Sequence, residues 1–198
     1  MANDRIVDLY EQNAAAWDLQ RGRDLDEAPW LDRFLACLPA GGSILDIGCG
    51  MGEPVARYLI ERGFAVTGID SSPALIAMAR ERFGGQEWIV ADMRELDLGR
   101  RFDGVIAWHS LFHLSPDDQR VMFARLAAHA MPGAPLLFTS GPEHGETLGE
   151  WMGEPLYHAS LDPHEYRALL AESGFRDVAY MLRDPECGSA SVWLAIRA

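Results

Sequence analysis

The apolar positions change their period at residue 43. Before it, Ile6, Tyr10, Ala14 and Trp17 share one approximate helical face, and Trp30, Leu31, Phe34 and Leu35 mark a second stripe. Two helical segments are therefore expected over the first forty residues, joined by the polar stretch Gln20 to Glu27. From Ser43 onwards, short continuous apolar runs alternate with amphipathic segments. Ser43 to Ile47 reads as a strand covered on both faces. A glycine-rich turn and a helix to about Arg62 follow, stopped at Gly63. Phe64 to Ile69 is a second strand. Ser72-Pro73 then supplies an N-cap and a first-turn proline for a helix carrying Leu75, Ile76, Ala79 and Phe83. Gly84-Gly85 ends that helix, and Glu87 to Ala91 and Val105 to Trp108 read as the third and fourth strands.

Ser115-Pro116-Asp117-Asp118 opens a helix that runs to about Ala130 and breaks at Pro132-Gly133. Pro135 to Ser140 is a fifth strand. Residues 141–160 show no clear period and are expected to form an inserted lid. Asp162-Pro163-His164-Glu165 starts another helix, with Tyr166, Leu169 and Leu170 on one face. Two terminal strands, about 176–182 and 190–197, flank a loop too short for a parallel crossover, so they form an antiparallel hairpin. The pattern predicts a doubly wound α/β fold: a mostly parallel seven-stranded sheet, helices on both faces and an antiparallel last strand. Residues 1–198 read as a single domain, with an N-terminal helical cap (about 1–40) and the lid insertion (about 141–160).

Charge and cysteine usage narrow the partners. The 198-residue chain carries 17 basic against 30 acidic residues, a net charge of −13, and no lysine. Such a surface repels phosphate backbones and anionic membranes, so no nucleic acid and no membrane are expected as partners. Cys37, Cys49 and Cys187 are odd in number and lack CxxC spacing, which argues against a disulfide framework and a tetracysteine zinc site. The N-terminus has no apolar signal segment, and no apolar run reaches the ~18 residues of a membrane span. A reduced, cytoplasmic protein is expected, monomeric or homodimeric. His144 and Glu146 match no metal-ligand spacing, so no metal is assigned.

On a doubly wound sheet, ligands bind at the carboxyl ends of the strands, so the informative residues follow each strand. After the first comes Asp46-Ile47-Gly48-Cys49-Gly50-Met51-Gly52, whose glycines let backbone approach a ligand. A dinucleotide fingerprint would need glycine where Glu53 stands, and a carboxylate there repels a pyrophosphate. Asp46 suits a cationic ligand. Cys49 reads as a small buried filler rather than a nucleophile. Asp70-Ser71 follow the second strand, where a carboxylate accepts from a ribose diol or caps the next helix. Asp92-Met93 follow the third, where an Asp accepts from an adenine amino group and a Met packs on its face, or where the Asp starts a turn.

The stretches Ile44–Gly52, Gly68–Asp70, Ala91–Met93, Phe102–His109 and Pro132–Leu137 resemble the class I S-adenosylmethionine-dependent methyltransferases, whose fold is Rossmann-like. The resemblance covers roughly residues 40–140. It implies S-adenosyl-L-methionine as cofactor, with the Gly48–Gly52 loop against its methionine portion, Asp70 on the ribose, and Asp92 and Met93 framing adenine. Trp108 or His109 would face the cofactor, and Tyr10 and Trp17 of the N-terminal helix would fold over it.

The reaction implied is methyl transfer to an O, N or S atom of a small molecule, driven by alignment and desolvation. His109 is the candidate base, with hydrogen bonding to the cofactor or a loop as the other reading. His113, His144, Trp151, Tyr157 and His158 are candidates for the acceptor pocket. Ala107-Trp108-His109-Ser110 lacks the Asn/Asp-Pro-Pro-aromatic segment of enzymes that methylate nucleic-acid bases. The alternatives are a non-catalytic cofactor-binding or regulatory module and a nicotinamide-dependent oxidoreductase. The second is opposed by Glu53 and by the absence of any Tyr-x-x-x-Lys pair.

Overall fold

The computed structural model describes residues 5–198; Met1 to Asp4, the start of the predicted cap, lie outside it. The N-terminal segment is helical but broken in two, α1 (Arg5–Gln12) and α2 (Ala14–Gln20), followed by α3 (Ala28–Leu35). The break falls at Asn13, whose side-chain amide donates to the Leu9 carbonyl at 2.9 Å. The Asn13 backbone N–H shares that carbonyl at 3.2 Å, and its φ of −113° and ψ of 19° depart from helical geometry. The predicted face survives the break: Ile6 and Ala14 are buried, and Tyr10 and Trp17 line a cavity.

The strand–helix alternation then proceeds as β1 (Ser43–Ile47), α4 (Val55–Glu61), β2 (Ala65–Asp70), α5 (Pro73–Arg82), β3 (Glu87–Val90), β4 (Gly104–Ala107), α6 (Pro116–His129) and β5 (Pro135–Ser140). A hairpin of β6 (Gly145–Trp151) and β7 (Glu154–Ser160) comes next, then α7 (Pro163–Glu172), β8 (Phe175–Asp184) and β9 (Ala190–Arg197). The predicted caps are in place: the Ser72 hydroxyl accepts from Leu75 N–H and Ser115 from Asp118 N–H.

The main sheet has seven strands in the order β3-β2-β1-β4-β5-β9-β8. β1 to β5 are parallel, and β9 runs antiparallel between β5 and β8. The strand order reverses between β1 and β4, which opens the crevice used by ligands of such sheets. The central strands are buried on both faces. Leu45, Ile47, Val105 and Ala107 pack with Phe123, Tyr166 and Trp193 on the α6–α7 side. Ile44 and Ile106 pack with Phe34, Leu59 and Ile76 on the α3–α4–α5 side. This is why those strands read as unbroken apolar runs.

Residues 141–160 differ from the irregular segment expected. Gly145–Ser160 form a two-stranded antiparallel sheet of their own. Their turn is Met152-Gly153, both with positive φ, as a two-residue hairpin turn demands. The alternation was masked because this pair buries little of either face: β6 is exposed along most of its length, and burial is confined to Tyr157, Ala159 and Ser160 of β7. Among the described residues no helix is long and apolar enough to cross a membrane.

Candidate active site

A cavity of ≈ 140 Å³ lies at the carboxyl ends of β1 to β4, with α1 and α2 above it. The N-terminal helices are held there by polar clamps. Glu11 accepts from the Ser72 hydroxyl (2.6 Å) and Ala74 N–H (3.0 Å), and Asp18 accepts both Arg82 terminal nitrogens (2.7 and 2.5 Å). Tyr10, Trp17 and Trp151 form an aromatic roof: Tyr10 stacks on Trp151 at 5.4 Å, and Trp17 meets both rings edge-on.

The half of the cavity over β3, β2 and β1 is acidic. Asp46 is buried and has no hydrogen-bond partner among the described residues. Burial, and then the neighbouring Asp70 carboxylate, push its pKa up to about 7. Asp70 accepts from Gly50 N–H and Ser72 N–H, each at 2.9 Å. Burial raises its pKa while those two bonds oppose the rise. The cap of α5 is Ser72, so Asp70 is left to hold the glycine loop and face the cavity. Asp92 does make the turn anticipated as its plainer reading: it accepts from Arg94 N–H at 2.8 Å, and the Arg94 guanidinium grips its carboxylate. It still lines the cavity with Met93 and Ser71.

Gly48, Cys49 and Gly50 also line the cavity. A Cβ added to Gly50 would meet nothing nearer than Trp17 Nε1 at 3.9 Å, so this backbone is open beneath the roof. Gly52 is a correction: it lies outside the cavity lining, and its φ of +81° with Phe83 only 2.9 Å from an added Cβ marks it as a packing glycine. The Cys49 thiol is buried and its pKa is pushed well up, first by burial and then by Asp46 and Asp70, which leaves it inert.

The half over β4 and β5 carries imidazoles. Trp108 is buried there, its indole N–H without a partner. His109 has a φ of +52°, a left-handed turn that ends β4, and its backbone N–H donates to Thr139 Oγ1 at 2.9 Å. Burial, then Arg21 and His113, lower its pKa to about 4. His113 Nδ1 lies 3.0 Å from the Tyr157 carbonyl, and its Nε2 lies 3.2 Å from Tyr10 Oη. A carbonyl only accepts, so Nδ1 carries the proton and Tyr10 donates to Nε2. Burial again lowers the His113 pKa, to about 4, whereas burial and Asp70 raise that of Tyr10 to about 12.

The remaining acceptor-pocket candidates lie outside the cavity lining. His144 is exposed ahead of the hairpin. Trp151 forms the roof, Tyr157 donates to Glu146 at 2.7 Å, and His158 packs on His113 with ring centroids 5.0 Å apart. Trp151, Tyr157 and His158 flank the site from the hairpin through Tyr10 and His113, whereas His144 makes no such contact among the described residues. Sequence reasoning missed Arg21, which lines the cavity from the polar connection after α2. A lone arginine in an aperiodic stretch gives no signal. Glu53 also lines it, paired with Arg57. Among the described residues no group of three or more His, Cys, Asp or Glu is placed to hold a metal ion.

Residues 44–133 match a family described as a methyltransferase domain. The magnesium-protoporphyrin O-methyltransferase of Rhodobacter capsulatus is 30% identical over 167 residues, 79% of this chain and 72% of that protein. The chain belongs to the class I S-adenosylmethionine-dependent methyltransferases. An O-methyltransferase of Pyrenophora dematioidea is 29% identical over 75% of the chain, which spans 61% of that relative's length. The fold is that of the magnesium protoporphyrin IX methyltransferase of Synechocystis PCC 6803 with bound SAM: TM-score 0.76 at 17% identity, over 100% of this chain and 98% of that one. Membership of this family leaves the oxidoreductase alternative without support.

Proposed function

We propose that this chain uses S-adenosylmethionine to methylate an O, N or S atom of a small molecule. The supporting observation is the buried, unpartnered Asp46 beside Asp70 in a cavity roofed by aromatic rings, a setting that favours a cation. The donor set fits the cofactor along its length. Asp46 faces the cationic methionine end, Arg21 offers a guanidinium to its carboxylate, Asp70 receives the ribose hydroxyls, and Asp92 and Met93 border the adenine. Bound there, S-adenosylmethionine supplies an activated methyl: the carbon–sulfur bond breaks as an acceptor lone pair forms the new bond, and the sulfonium leaves as a neutral thioether. The relatives' names cover both O- and N-methyltransferases.

Tyr10, Trp17 and the β6–β7 hairpin form the lid of this reading. The cavity continues past the acidic half to His109 and His113, which supports turnover over a purely regulatory module. Three free thiols, Cys37, Cys49 and Cys187, agree with a cytoplasmic setting.

Calorimetric titration with S-adenosylmethionine, S-adenosylhomocysteine and NAD tests the reading. Binding of both sulfur nucleosides without NAD is expected, and NAD binding alone overturns it. Asp70→Ala is expected to weaken S-adenosylmethionine by ~1.5–3 kcal/mol, the range for hydrogen bonds to charged groups.

A further inference from the structure

The cavity is divided by charge along the strand order. Its lining carboxylates are Asp46 and Asp70 at the ends of β1 and β2, and Glu53 and Asp92 in the loops after β1 and β3. The part beneath β4, where Trp108, His109 and His113 lie, contributes none. An ammonium group entering there would meet no counter-ion, whereas an anion would have the Arg21 guanidinium on the same lining, close enough to act on His109.

The hydrogen bonds also show what these imidazoles do. Both nitrogens of His113 are occupied, by Tyr10 and by the Tyr157 carbonyl, so His113 has no nitrogen free to take a proton. In His109, Nδ1 lies 3.4 Å from Thr139 Oγ1, and that oxygen already accepts the His109 backbone N–H. Among the described residues the fully buried Thr139 hydroxyl has no other acceptor for its own proton, which points it to Nδ1. A neutral ring that accepts at Nδ1 carries its proton on Nε2. His109 is thus a donor at the one ring nitrogen left for a ligand, and its lowered pKa keeps it neutral in that role.

We propose that the methyl acceptor is a carboxylate, bound over β4 by the Nε2–H of His109. The proposal rests on the function given above. A carboxylate is already ionised at neutral pH, so its oxygen is nucleophilic without a base, matching a site whose imidazoles accept no proton. The product would be a methyl ester. Thr139 is a positioning residue, acting through the His109 ring.

Two measurements on the full chain test this. Long-range proton–nitrogen NMR of the imidazoles is expected to show neutral His109 with its proton on Nε2, and Thr139→Val is expected to mix the two tautomers. A His109 proton resident on Nδ1 overturns the assignment. Separately, protein saturated with S-adenosylhomocysteine is titrated with benzoate, benzyl alcohol and benzylammonium, three probes of similar shape, followed by tryptophan fluorescence. Benzoate is expected to bind at least about tenfold tighter than the others, the scale of one charge-assisted hydrogen bond. His109→Phe should abolish that preference, bringing benzoate down to the affinity of benzyl alcohol. Benzoate binding no tighter than benzyl alcohol, or absent for both, retires the carboxylate proposal alone. Failure of S-adenosylhomocysteine itself to bind retires the cofactor reading beneath it.

Discussion

Asp46 and Asp70 close adjacent parallel strands and send two carboxylates into one side of the cavity, but only Asp70 has hydrogen-bond donors there. The bonds to Gly50 and Ser72 stabilise the Asp70 anion, and its charge then works against ionisation of Asp46. In the function proposed above, a ligand cation completes the pair.

The consequence is a pH dependence set by Asp46. Its folded pKa of about 7 stands above the ordinary 3.8, so its contribution to stability is full below 3.8 and is lost as pH rises through about 7. A cation beside it favours the ionised form and reverses the trend. S-adenosylmethionine affinity is expected to rise from roughly pH 6 to 8, with proton release visible by calorimetry in two buffers. Asp46→Asn should flatten that rise. A wild-type affinity constant across this range would show that Asp46 is already ionised without ligand.

His113 ties three elements together, since its ring bridges Tyr10 of α1 and the Tyr157 carbonyl of β7 from the turn after β4. His113→Ala leaves the Tyr10 hydroxyl without its acceptor and should destabilise the fold by roughly 1–3 kcal/mol. Hydrogen exchange should speed up in α1 and β7 together, and faster exchange in only one of them would refute the bridge. The acid limb has a defined sign. The folded pKa of about 4 lies below the ordinary 6.5, so stability is intact above 6.5 and is lost as pH falls from there towards 4. Thermal melts across that window should show a shallower loss in His113→Ala.

Trp151 belongs to the hairpin yet covers residues of the N-terminal helices, stacking on Tyr10 and donating its indole N–H to Gln20 at 2.8 Å. Removing it by Trp151→Ala opens the roof without touching the sheet. Cofactor dissociation, followed by stopped-flow fluorescence, is expected to accelerate about tenfold, equivalent to ~1.4 kcal/mol. Global stability should change far less than in a core tryptophan deletion such as Trp193→Ala, where about 3–5 kcal/mol is typical. An unchanged dissociation rate would mean that Tyr10 and Trp17 close the cavity alone.

The sequence by itself determined the sheet. Strands buried on both faces impose unbroken apolar runs, and Ser72, Ser115 and Asp162 announce their helices because capping is a local interaction. It also marked Asp46, Asp70 and Asp92, because a doubly wound sheet sends each strand end to the same crevice. The tertiary structure decided what depends on partners distant in the chain. Whether Gly52 faces ligand or packing rests on Phe83, which residue bounds the roof rests on a hairpin that buries too little to show a period, and Arg21 joins the site from a stretch with no pattern. The proposed role of His109 depends on the same kind of distant contact. Its side chain alone allows a base or a donor, and the contact that bears on its tautomer comes from Thr139, thirty residues away.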